Sequence, residues 1–476
     1  MKDCHLPDSA AAVSCLVLAI GSQDIDKTKS DAWFRRGLDV LLADMTNNMN
    51  VSTVQGFTLV ALFMLRAFQP NGAYLYFSLA ARTAYAIGIH RTEVNASFGV
   101  STKTTRDRIW KSLRVVDMLI SCVLGRPTST SDVDCTVKYA VSDTNRPMSV
   151  NVMDASLQIF LIIERVVVEV YSRKRISLRI ADYVSRQFKT WASTWMQPLS
   201  EVAVGSSINV QQASIVGACS TLCSYYYGIM LLTRPFLIYE LYEHMGTALR
   251  GHGSKAEHHR KRLYADAALD AALSFVDTLQ AVIKLGVMPN RMPLIVSWLS
   301  TASLVLAISS LGRSGLAFED TCKASINCLD YFGDVDPHAS QYSHTVRSIL
   351  EITTSFVRKR EQQAVLKRRH ASSELFGLLP PEVVTNNCDI EVRDSYIATP
   401  QVASHSSEQE AASITTSDWT IYDADFFALP WPVNEYDQGL QDFLQPGTHN
   451  LDGATIADIP LFPIFDQQTA STHSQV

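Results

Sequence analysis

The stretch from Asn71 to Cys135 constrains the fold more than any other part of the chain. It holds two amphipathic patterns of helical period joined by a polar loop. From Gly72 to about His90, Leu75, Leu79, Arg82, Ala86 and Ile89 fall on one side. Ala80, Ala81, Ala84 and Ala86 leave room for close helix approach, and Asn71 reads as the cap. The second pattern runs through Ile109, Trp110, Leu113, Val116, Ile120, Val123 and Leu124. Its expected cap is Thr104 or Thr105, with Asp107 in the first turn where a negative charge suits the helix dipole. Gly125-Arg126-Pro127 stops it, because glycine suits a helix end and proline cannot continue one. Asp117 interrupts the buried stripe. A buried carboxylate needs a partner, and Arg82, Arg114 and Arg126 are the candidates for a structural ion pair.

The same period recurs along the chain. Helices are expected at 10–20, 32–47, 54–68 (capped by Ser52 or Thr53), 154–171, 178–196, 215–233, 264–285, 294–311, 321–331 and 342–357. Pro198–Asn209 and residues 245–262 read as loops, and Arg234-Pro235-Phe236 as a helix end. Strand-like alternation is not convincing anywhere. The expected class is all-α, an irregular multi-helix domain over 1–360, then a basic segment at 358–370 and a mostly disordered acidic and aromatic tail at 371–476.

Charge supports that division. Residues 401–476 hold eleven Asp or Glu and no Lys or Arg, which leaves residues 1–400 with 41 Lys or Arg and 36 Asp or Glu and a net +5. Arg358, Lys359 and Arg360, then Lys367, Arg368 and Arg369, form a two-part basic cluster with the spacing of an import signal or a phosphate-contacting patch. In the tail, Trp419, Phe426, Phe427, Trp431, Phe443 and Leu444 are interleaved with the acids, the composition of an activation segment that docks on a partner groove.

Other classes find little support. Nine scattered cysteines without a CxxC argue against a disulfide framework and for a reducing compartment. Cys219 and Cys223 read as core residues on one helix face. The run Leu294–Leu311 is near the minimum length for a membrane span but carries five serines and a threonine, so a core helix is expected, with no membrane partner. Nucleotide-binding glycine loops, metalloprotease, hydrolase and calcium-loop motifs are not found, nor is the Asp-rich motif of terpene cyclases. His244, His252, His258 and His259 lie in a Gly/Lys/Arg-rich stretch without set ligand spacing, so a solvated loop is expected there.

The Asn71–Cys135 stretch resembles the middle homology region of fungal zinc-cluster transcription factors, also called the fungal-specific or xylanolytic-activator regulatory domain. Asn71, Ala80, Arg82, Ala84, Gly88, Ile89, His90 and Arg91 carry its first pattern. Arg108, Trp110, Leu113, Asp117, Leu124, Gly125, Arg126, Pro127, Asp132 and Asp134 carry the second, and Arg234-Pro235-Phe236 looks like a third. The resemblance covers roughly residues 10–360. Lys111 and Met118 depart from it, standing where the family usually has an aromatic residue and an arginine.

The resemblance implies a nuclear, non-enzymatic regulator of RNA polymerase II genes, possessing a regulatory domain, an import segment and an activation tail. Its expected partners are the transcription machinery or a coactivator, and a second copy or a relative as a dimer. The family's six-cysteine, two-zinc module does not occur in these 476 residues. No cofactor is therefore expected in this chain, and DNA is expected only through a module outside it or through a partner. Two alternatives stand beside this reading. One is a DNA-binding-deficient cofactor or dominant inhibitor that dimerises with relatives. The other is a helical small-molecule binder or enzyme.

Overall fold

The computed structural model describes residues 8–45, 48–139, 151–172, 175–205, 211–244, 255–377 and 459–460. Thirteen α-helices occur among them, and the chain is all-α. They are α1 (Ser9–Ser22), α2 (Lys27–Asp44), α3 (Val51–Arg66), α4 (Pro70–Ala86), α5 (Thr92–Ala96), α6 (Val100–Leu124), α7 (Val152–Val166), α8 (Leu178–Ala203), α9 (Gln212–His244), α10 (Lys255–Lys284), α11 (Pro293–Ser309), α12 (Glu319–Gly333) and α13 (Pro337–Phe376). One π-turn, Val167–Tyr171, extends α7. A two-residue pairing of Arg175–Ile176 with Ile459–Pro460 is the extended ladder among the described residues.

Several helix ends differ from the sequence expectation, each for a local reason. The α3 cap is Asn50, whose side chain accepts from Thr53 N while Thr53 Oγ1 accepts from Asn50 N, a reciprocal capping box. α4 begins at Pro70, whose missing N–H costs nothing in a first turn. Asn71 is therefore inside the helix, and its side chain is taken by Arg126. α6 begins at Val100 after Gly99, which places Asp107 in the second turn.

Two prolines expected to break helices do not. Pro198 lies inside α8, which runs to Ala203 because Ala181, Val184, Phe188, Trp191, Trp195, Leu199 and Ala203 form one unbroken buried stripe. Pro235 lies inside α9. It leaves the carbonyl of Leu231, four residues back, without its helical donor. The hydroxyl of Tyr171 donates to that carbonyl at 2.8 Å, so the helix passes through Arg234-Pro235-Phe236 with Phe236 and Leu237 buried.

Two apolar cores share α6. The first gathers Leu16, Leu41, Phe57, Val60, Phe77 and Ala80 from α1–α4 around Trp110, Leu113 and Ile120. The second gathers α7–α12 and receives Met118 and Cys122 from the other side of α6. Met118 thus replaces the family's arginine with a residue wholly inside the second core. α9 lies in this core between α7, α8, α10 and α11. Gly228 sets its approach, because a Cβ there would meet the Phe188 ring at 2.9 Å and Ile163 Cγ1 at 3.0 Å. α9 is long and apolar enough to cross a membrane by length and composition, but 67% of its most apolar window is buried by neighbouring helices. α11 is buried likewise through Ile295, Val296, Leu299, Ala302 and Leu306. Trp191 and Trp195 hold α8 to α7 through Nε1 donation to Ala155 O at 3.0 Å and to Gln158 Oε1 at 2.8 Å.

The chain divides into two compact units, one containing residues up to Leu350 and one beginning at Glu351. α13 spans the division and continues to Phe376, six residues past the point where composition changes. Apart from Ile459–Pro460, the rest of the expected tail lies outside the described residues. α10 begins at Lys255, so His258 and His259 are on a helix rather than in a loop. His252 lies outside the described residues. Among those described, no group of three or more His, Cys, Asp or Glu could hold a metal.

Candidate functional site

The signature residues converge on the segment from Arg126 to Tyr139, which has no helix of its own and lies along α4 and α6. Gly125 turns the chain out of α6 with φ 61°, a left-handed conformation that suits glycine. Arg126 Nη2 then donates to Asn71 Oδ1 at 2.7 Å, and its guanidinium lies 5.1 Å from the Tyr74 ring centre. Tyr74 OH donates to Pro127 O at 3.2 Å. The glycine, arginine and proline therefore end one helix and fasten the next segment to α4.

Asp117 does not form the expected ion pair. Its Oδ1 accepts from Ser129 N at 3.0 Å, and Oδ2 accepts from Thr130 N at 2.7 Å and from the Thr130 hydroxyl. A short loop just past the helix end delivers donors that an arginine was expected to supply. Burial raises the Asp117 carboxyl above its ordinary value, against the lowering pull of these hydrogen bonds and of nearby Arg114. Arg82 is exposed on α4 and forms no ion pair among the described residues.

Arg114 is the hub that the sequence reading left as one candidate among three. It lies on the same face of α6 as Trp110 and Asp117, four residues after one and three before the other. Only 1% of it is exposed. Nη1 donates to the carbonyl and hydroxyl of Thr130, each at 3.0 Å. Nη2 donates to Asp132 Oδ2 at 3.0 Å and to Glu164 Oε2 of α7 at 2.9 Å. Burial opposes its charge, but Glu164 and Asp132 more than offset this and hold it protonated. Burial also raises Glu164, with Arg114 pulling the other way.

The Asp-x-Asp pair acts through alternation. Asp132 faces inward to Arg114 and accepts from Tyr139 OH at 2.7 Å. Val133 points outward and is 97% exposed. Asp134 meets Arg91 Nη2 at 2.7 and 2.5 Å, and lies 3.6 Å from His90 Nε2. Trp110, fully buried, donates from Nε1 to Tyr139 OH at 3.0 Å and to Cys135 Sγ at 3.1 Å. Tyr85 packs edge-on against both the Trp110 and His90 rings, and its hydroxyl accepts from Ser131 N at 2.7 Å. The carbonyl of His90 accepts from Thr136 N. Glycine 88 (φ 71°) makes the turn that brings His90 and Arg91 to this segment.

Two further clamps surround this set. Arg106, on α6, donates to Asn95 Oδ1 at 2.7 Å and Ile87 O at 2.6 Å, fixing the loop between the two signature helices. Lys111, one of the departures from the family pattern, donates to Asp154 Oδ1 at 2.7 Å and ties α6 to α7. Chemically, the arrangement holds backbone and charge in place. Its buried carboxylates are engaged by an arginine (Glu164), by loop amides (Asp117) or by a lysine (Asp154).

His90 adds a pH dependence. It is 6% exposed and its Nδ1 is buried without a hydrogen-bond partner among the described residues. Burial, and then the Arg91 charge, lower its pKa below the ordinary 6.5, with Asp134 opposing. The unfolded chain therefore binds this proton more readily than the folded one. Stability from this group is complete above 6.5 and falls as pH drops through that value toward the lower folded pKa. The stability difference between wild type and His90→Asn, followed by urea unfolding between about pH 7.5 and about pH 5.5, is expected to shift against wild type on acidification. A pH-independent difference would show that His90 does not titrate in this range.

The six basic residues of the expected import segment all lie exposed on α13. The aromatic residues of the expected activation tail lie outside the described residues. In comparison with known proteins, residues 10–193 match the family described as fungal specific transcription factor domain. An uncharacterised transcriptional regulatory protein of Schizosaccharomyces pombe is 21% identical over 87% of this chain and 54% of its own length. Filamentous growth regulator 27 of Candida albicans is 23% identical over 69% of this chain and 44% of its own. Activator of stress genes 1 of Saccharomyces cerevisiae is 23% identical over 42% of this chain and 22% of its own. The chain thus spans about half or less of these relatives. No solved structure matches it.

Proposed function

We propose, from the match of residues 10–193 to the fungal specific transcription factor domain, that the chain is a nuclear, non-catalytic regulator of RNA polymerase II transcription. Its helical body is the regulatory domain. The exposed basic residues of α13 serve nuclear import, and the acidic aromatic tail engages the transcription machinery or a coactivator. Specific DNA contact comes through a module or a partner outside these 476 residues, because no six-cysteine zinc cluster is among them. The observation that carries this reading is the family match over residues 10–193, the span that contains the Arg114–Asp132–Trp110 network. Support also comes from the charge division, with eleven Asp or Glu and no Lys or Arg after residue 400.

The test is a reporter assay. Residues 401–476 fused to a foreign DNA-binding domain are expected to raise transcription above the bare domain. Replacing Trp419, Phe426, Phe427, Trp431, Phe443 and Leu444 by alanine is expected to reduce the gain strongly, since it removes most of the large aromatic side chains that fill a partner groove. Equal output from the fusion and the bare domain would remove the tail from the proposal.

A further inference from the structure

The end of α13 presents a surface whose complement is written elsewhere in the same chain. Between Arg358 and His370 it carries six cations and one acid, Glu361. Arg358, Gln362, Val365, Arg369 and Phe376 recur at i, i+4, i+7, i+11 and i+18 and so share one helix face. Arg358, Glu361, Gln362, Val365 and Leu366 line a shallow open depression on it. Val365 and Leu366 are about half exposed, and Phe376 is 76% exposed. An exposed face that mixes cations with large apolar side chains fits an anionic segment with large apolar side chains.

Asp418–Leu429 has that chemistry. Trp419, Tyr422, Phe426 and Leu429 recur at i, i+3, i+7 and i+10, the anchor spacing of a helix laid in a groove. Asp418, Asp423 and Asp425 accompany them, with no cation in the segment. Forty residues separate Gly377 from Asp418. A chain of that length reaches roughly 35 Å on average, which matches the length of the helix from Phe356 to Phe376, about 30 Å. Such a tether holds the segment near the helix at roughly millimolar effective concentration.

We propose that Asp418–Leu429 docks on the Arg358–Phe376 face of α13, so that the basic cluster and the aromatic segment cover each other. An external partner for either one then competes with the other. Exposed charges are screened over about 8 Å at physiological salt, so docking weakens as salt rises. The proposal requires only this contact, and it holds or fails whether or not the tail activates transcription.

The test is zero-length carbodiimide cross-linking of the full chain, mixed in equal amounts from ordinary and nitrogen-15-labelled preparations. The expected products join Asp418, Asp423 or Asp425 to Lys359 or Lys367 within a single label. Their yield is expected to fall with added salt, in W419A/F426A/F427A, and in the charge reversal R358E/R360E/R368E/R369E, which leaves both lysines available. The tail variant changes no residue of helices α1–α13 and keeps the test independent of their folding. Absence of these products overturns the proposal. Products joining the two labels also overturn it, because a second copy would then occupy the face. Yields that ignore both variants would do the same, by marking the links as random encounters.

Discussion

Replacing Arg114 by leucine is expected to cost about 3–5 kcal/mol of stability, the loss seen when one partner of a buried charge cluster is removed. The guanidinium is the cation shared by Asp132 and Glu164, and it donates to both oxygens of Thr130. Asp117 lies beyond Thr130 on the same network. Leucine fills part of the volume but leaves Glu164 and buried Asp117 near each other and near the more exposed Asp132 without the shared cation. The loss is therefore mainly stranded charge rather than a cavity.

That origin fixes a pH signature. Burial already raises Glu164 above its ordinary 4.5 and Asp117 above 3.8. Without Arg114 both rise further. A carboxylate whose folded pKa lies above its unfolded value costs nothing below the unfolded pKa, and its penalty grows as pH climbs from the unfolded to the folded value. The R114L deficit should thus be largest near neutrality and shrink as pH falls toward 4.5 and 3.8. Pairing the change with Glu164→Gln should recover part of the loss at neutral pH. Urea unfolding of wild type, R114L, E164Q and the double variant gives the coupling directly. A deficit that is constant with pH would assign it to packing instead.

The helical class was legible because apolar residues recur at 3.6 along most of the chain, as in Ala181 to Ala203 on α8. The helix ends were less legible, because local signals lost to tertiary ones. Pro235 reads as a stop, but Tyr171, sixty residues away in sequence, supplies the hydrogen bond that the Leu231 carbonyl lacks. Pro198 reads as a stop, but the buried stripe continues through Leu199 and Ala203. At the signature, residue identities were visible and their partners were not. Asp117 was expected to face an arginine, and the donors came from the backbone of Ser129 and Thr130, which side-chain patterns do not announce. Arg114 could have been ranked first among its rivals. It shares a helix face with Trp110 and Asp117, whereas Arg82 stands on another helix. Glu164, its second partner, lies fifty residues on in α7, and nothing local links the two.

Trp110→Ala is the second large effect, and it separates a structural signature from a functional one. The side chain is fully buried among Tyr85, His90 and the first core, so truncation is expected to cost about 3–5 kcal/mol through lost burial and a cavity. Trp110→Phe keeps most of the ring volume but removes the Nε1 donor, which leaves Tyr139 OH and Cys135 Sγ without it; about 1–2 kcal/mol is expected. Both losses should be felt first where the segment Arg126–Tyr139 leans on α6. Amide exchange at Thr136, bonded to His90 O, and at Ser131, bonded to Tyr85 OH, should accelerate before exchange in the second core does. A loss of 3–5 kcal/mol is a large share of the stability of an ordinary domain, so W110A should also lower the amount of protein in the cell. Any loss of regulation should then track abundance and return at lower growth temperature. W110F, folded at normal abundance yet inactive in regulation, would instead place a partner or an effector at this tryptophan.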